Sequence, residues 1–66
     1  MSDAMRNREV IIEFIPVGQI VRVSAMDVRT LTEAVISGPA NTPEFILQRN
    51  AVRRLEYILK KKGLIS

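Results

Sequence analysis

Chemistry in this chain would have to come from few side chains. The 66 residues include no cysteine and no histidine, so a covalent mechanism would need Ser24, Ser37 or Ser66 as nucleophile, or a threonine, with a lysine as base. No motif surrounds any of these serines. Glu9, Glu13 and Glu33 fall where β alternation could bring them to one sheet face, and clustered carboxylates can exchange protons. The plainer reading is a solvated face, because charged outward positions are normal for a sheet covered on one side. A cation held by carboxylates alone is weaker still, since calcium asks for six or more oxygen ligands. Gly18 lacks the repeated glycines and the lysine of a phosphate loop, and Gly38-Pro39 reads as a strand-to-helix break. The expectation is a protein without catalytic residues, cofactor or metal.

The one feature with functional colour is basic. Ten Lys and Arg against seven Asp and Glu give a net charge of +3, and Arg49, Arg53, Arg54, Lys60, Lys61 and Lys62 concentrate it near the C-terminus. Such a run is usually a solvated face. Its functional reading is a site for an anionic partner, nucleic acid first, because a β-meander followed by a basic helix is loosely like the second half of a double-stranded RNA-binding domain. That likeness is one of fold alone. The chain lacks that domain's first helix, and its strands carry no aromatic pair able to stack bases.

The element that must present these charges is a helix over Thr42 to Lys62. At about 100° per residue, Phe45, Leu47, Ala51, Val52, Leu55, Ile58 and Leu59 form one apolar stripe, with Gln48 its single polar member. Thr42 is placed to cap the start, Pro43 suits the first helical position, and Gly63 suits a left-handed cap at the end. Glu44 in the first turn and Lys60 to Lys62 in the last complement the helix dipole. Ile46 and Tyr57 fall on the opposite side, among the basic residues. Because the stripe is needed for a core, membrane-surface binding is not expected.

Upstream, the period changes to two. In Arg8 to Pro16, Val10, Ile12 and Phe14 alternate against Glu9, Ile11, Glu13 and Ile15, and the β-branched content favours a strand. Pro16-Val17-Gly18-Gln19 reads as a tight turn. In Gln19 to Met26, Val21, Val23 and Ala25 alternate against Ile20, Arg22, Ser24 and Met26. Setting Ile15 opposite Ile20 aligns Phe14 with Val21, Ile12 with Val23, Val10 with Ala25 and Glu13 with Arg22, and a slip by one would turn every side chain over. Asp27 to Thr30 is a polar connection in which Asp27 can bond its own downstream backbone. Leu31 to Gly38 forms the third strand, with Ala34 and Ile36 facing the helix.

The architecture expected is therefore α+β: a three-stranded antiparallel β-meander followed by one C-terminal amphipathic helix, β-β-β-α, over residues 8–66 as a single domain, with residues 1–7 as a frayed tail. One helix covers one sheet face. The other would carry Ile11, Ile15, Ile20, Met26 and Val35 in water, a patch of the kind that marks an interface. A chain this short buries only about 60% of its surface, and without a disulfide or a metal, association is the remaining supplement. A homodimer is expected, joined through those five residues or by exchange of the helix across Gly38 to Asn41. No secretory signal and no apolar run of about 20 residues is present, so a cytoplasmic protein is expected.

Several of these segments in order, Ile12-Glu13-Phe14, the Gly18 turn, VRVSAMD at Val21 to Asp27, GPAN at Gly38 to Asn41 and AVRRLEYILKK at Ala51 to Lys61, resemble a family of small uncharacterised bacterial proteins, a domain of unknown function. The resemblance spans about Glu9 to Lys61. It implies a compact single domain and no activity.

Overall fold

The computed structural model describes residues 3–66. Three strands, β1 (Val10–Val17), β2 (Ile20–Asp27) and β3 (Glu33–Pro39), form one antiparallel sheet in the order β1-β2-β3, and α1 (Glu44–Lys61) follows. This is the expected β-β-β-α architecture. The helix crosses β3 and β2 and lies over one face of the sheet, its axis brought in closely at Gly38, where an added Cβ would stand 2.7 Å from Leu47 Cδ2. Leu47, Ala51, Val52, Leu55 and Leu59 of α1 close a core with Val23, Ala25 and Ala34.

The register differs from expectation by two residues. Val17 pairs with Ile20, Phe14 with Val23 and Ile12 with Ala25, so the loop is Gly18-Gln19 alone, with Gly18 at φ 61° as a two-residue type II′ turn requires. A shift of two preserves which face each side chain takes, so the expected faces hold while the expected partners do not. Pro16, expected to leave the strand, stays inside it opposite Val21. The closing pair Val17 and Ile20 exchanges the ladder bonds and the next pair does not, so the N–H that proline lacks would have pointed away from β2.

The helix ends also differ from expectation in part. Pro43, with ψ 139°, is itself the N-cap, and no side chain caps the start, so Thr42 does not serve as expected. The C-terminus closes as expected: Gly63 at φ 71° donates to the Lys60 carbonyl and Leu64 to that of Leu59, at 3.0 and 2.9 Å, the paired bonds of a Schellman motif. Phe45 is 69% exposed, not part of the buried stripe, and Gln48 is exposed beside it. Leu47 is the first helix residue the sheet buries, so the opening turn projects past its cover. Ile46, expected to face outward, is half-buried.

The segment read as a frayed tail contributes to the core. Asp3–Met5 makes a single 3-10 turn, and the Met5 side chain is 1% exposed. Residues 1 and 2 of that expected tail lie outside the described residues.

Candidate interaction surfaces

The connection between β2 and β3 is built around a buried carboxylate. Asp27 is fully buried, and its Oδ2 accepts from the Thr30 amide at 3.0 Å and the Thr30 hydroxyl at 2.6 Å. Arg8 Nε donates to Oδ1 at 3.1 Å and Nη2 to Oδ2 at 3.4 Å. The Thr30 and Thr32 hydroxyls lie 2.9 Å apart, and because the Thr30 O–H already donates to Asp27, Thr32 is the donor there. Burial by itself pushes the Asp27 carboxyl up, but the Thr30 hydroxyl, the Arg8 hydrogen bond, the Thr30 amide and the Arg8 charge outweigh it and hold the group below its ordinary value. With every polar contact satisfied, the arrangement is a clasp that ties the N-terminal approach to the loop. Asp27 was legible as a turn former, by its spacing to Thr30; its pairing with Arg8, nineteen residues away, was not.

The carboxylates with catalytic potential do not converge. Glu13 lies opposite Ser24, while Glu33 lies beyond β2 opposite Met26, and among the described residues no group of acidic side chains is placed to hold a metal. The buried Ser24 hydroxyl donates to Glu33 Oε2 at 2.9 Å. Ser37 sits on the exposed part of β3 opposite Arg22, and Ser66 is exposed and outside the strands and the helix.

Two surfaces remain, on opposite sides of the molecule. On the sheet face away from the helix, the register sets Ile11, Met26 and Glu33 in one row, Glu13, Ser24 and Val35 in the next, then Ile15, Arg22 and Ser37, then Val17, Ile20 and Pro39. Ile11, Ile15, Ile20 and Val35 are each 44–46% exposed, and Met26 is half-buried. The expected residues thus share one face but fall in two groups, Ile11, Met26 and Val35 toward one end and Ile15 and Ile20, joined by Val17, toward the other, with Glu13, Ser24, Arg22 and Ser37 between them. Arg22 is the single cation of these rows.

On the far side, α1 turns Arg49, Arg53, Arg54, Lys60 and Lys61 outward, all exposed. Tyr57 holds the Arg54 guanidinium 5.3 Å from its ring centroid and the Lys61 ammonium at 6.0 Å, within cation–π range. Lys60 Nζ pairs with Glu56 at 3.2 Å, which leaves Arg49 and Arg53 without an ion pair among the described residues.

The family model for a domain of unknown function, DUF6898, matches residues 7–62. The chain belongs to the DUF6898 family. The matched span contains the whole sheet, the Asp27 clasp and α1, and stops short of Met5 and the Gly63 cap. No curated protein and no solved structure matches the chain. No helix among the described residues is long and apolar enough to cross a membrane.

Proposed function

We propose that this DUF6898 protein is a small, non-catalytic interaction module that works as a homodimer and uses the open sheet face to bind another macromolecule. The observation that carries the reading is that Ile11, Ile15, Val17, Ile20 and Val35 share one sheet face, each exposed by close to half, while the one α-helix among the described residues is committed to the other face. Burying such a patch contributes about 25 cal/mol per Å², a gain that the closed monomer forgoes. Light scattering tests the assembly: the expected mass is twice the chain's 7.5 kDa, and a folded 7.5 kDa species at working concentration would refute it.

A second reading is favoured by the outward helix face, where Arg49 and Arg53 are exposed and have no ion pair among the described residues, and where Tyr57 gathers Arg54 and Lys61. Here the partner is nucleic acid, held through phosphates. Each such contact releases counterions and steepens the fall of affinity with salt. Replacing Arg49, Arg53 and Lys60 together with glutamine should weaken retardation of RNA or DNA and flatten the salt slope. Absence of binding by the unaltered protein at about 50 mM salt, where such contacts are strong, would end this reading.

A further inference from the structure

We propose that two copies join edge to edge through β1, in antiparallel register centred on Ile12, so that one sheet runs through both. The proposal rests on the homodimer reading above and specifies the surface that makes it. Glu9 accepts from the Val28 amide at 3.2 Å, and with Val17 paired to Ile20 this fixes the odd-numbered residues of β1 as those whose backbone bonds β2. The N–H and C=O groups of Val10, Ile12 and Phe14 therefore point to the free edge. No backbone bond from outside the sheet reaches them among the described residues. This eight-residue edge strand has no lysine or bulge, and its Pro16 lies next to its end, so the backbone groups from Val10 to Phe14 remain a template for pairing.

The side chains make the same case. Because α1 lies over β3 and β2, the inner row of β1, Val10, Ile12 and Phe14, is only partly buried against the core. Continuing the sheet at this edge sets Val10 beside the partner copy's Phe14 position and Ile12 beside its own counterpart, which closes that row. The other edge gains less, since of the inner residues of β3 Ala34 is already 2% exposed and Ile36 alone is a partly buried hydrophobic, against three on β1.

Among the three registers centred on the middle of the strand, at Ile11, Ile12 and Glu13, the one on Ile12 has no like-charge pair. Centred on Ile12, the outer-face pairs are Ile11 with Glu13 and Glu9 with Ile15. Moving the centre toward Ile11 sets Glu9 against Glu13, and moving it toward Glu13 sets Glu13 against itself, like-charge pairs that destabilise a ladder. The second of these moves also brings Pro16, which has no donor, into a bonding position.

The absence of native cysteine makes the geometry directly testable. Ile11 and Glu13 would face each other across the joint as a non-hydrogen-bonded pair with Cα atoms about 4.5 Å apart, within disulfide reach. Under mild oxidation, a mixture of Ile11→Cys and Glu13→Cys single variants should give a covalent dimer linked 11 to 13 by peptide mapping, in clear excess over either variant alone. Ile12→Pro removes the central donor and should give a folded monomer by light scattering and circular dichroism. If that variant fails to fold, the cross-link decides. A native protein that is monomeric overturns the homodimer reading and this proposal together. A native dimer that does not cross-link in the mixture, but is split by Ile20→Glu, overturns only the edge and assigns the joint to the open face.

Discussion

Replacing Asp27 with asparagine tests the clasp most sharply. Asparagine keeps the shape, and its oxygen can still accept from Thr30, but its amide then presents N–H groups to Arg8, a donor facing a donor. Arg8 is itself nearly buried, at 10% side-chain exposure against 0% for Asp27, so the exchange strands a buried guanidinium. Breaking a buried pair by removing one partner costs about 3–5 kcal/mol; the Thr30 bonds that asparagine retains bring the expected loss to about 2–4 kcal/mol. A 66-residue domain has roughly 3–10 kcal/mol in all, and 1 kcal/mol moves the midpoint of so small a domain by about 4–8 °C. The variant should therefore melt at least about 8 °C lower at neutral pH. Acid supplies the second half of the test. Because the folded-state pKa of Asp27 is depressed below 3.8, its contribution is fully present above that value and is lost as pH falls through the lower folded value. Thermal or urea melts of both proteins from neutral pH downward should show a constant gap that narrows only below about pH 4. A gap that is absent at neutral pH, or that persists unchanged into acid, would mean that the carboxylate does not hold this loop.

Three further substitutions probe separate features. Gly63→Ala forces a positive φ on an alanine and should cost about 1–2 kcal/mol in a urea melt; no change would mean that the helix end refolds without its left-handed cap. Gly38→Ala places a methyl against Leu47 and should destabilise by about 1–3 kcal/mol, with Leu47→Ala in the same chain relieving the clash but not the lost burial. Met5→Ala should cost about 2–5 kcal/mol, where a frayed segment would show none.

The faces of the strands were legible because a period of two survives any even slip. The register was not, because the turn was given the four residues Pro16 to Gln19 where two suffice, and proline was read as a breaker although on an edge strand its missing donor is never called upon. The helix was legible in its period and its stop signal. Its burial was misjudged at Phe45 and Gln48, since an angular stripe records direction but not how far the supporting sheet extends. Thr42 has the right chemistry for a cap, but the extended Pro43 between it and the first turn takes the position. Met5 left no periodic trace, and a single apolar residue in a polar segment carries no signal of where it docks. Of the candidate site, both surfaces could be read as faces of elements; the Arg8 to Asp27 pairing and the free β1 edge depend on register and needed the structure.

The two readings of function meet in one geometric consequence. An edge-joined dimer has its two-fold axis perpendicular to the sheet, so both helices lie on the same side and both basic faces turn the same way. A dimer joined through the open faces would instead carry them on opposite outer surfaces. Each helix has 18 residues, about 27 Å at 1.5 Å per residue, which is the length of about 8 base pairs of duplex at 3.4 Å each. A duplex of that size can engage one basic face, while one several times longer can engage two, the second contact being made at the high effective concentration set by the first. With both readings in force, the native protein should bind long duplex more tightly and with a salt slope about twice that on the short one, since the slope counts phosphates neutralised. Ile12→Pro should bring the long-duplex slope down to the short-duplex value and leave the short one unchanged. Equal slopes on both lengths for a native dimer would show that its basic faces act singly, as the face-to-face arrangement requires.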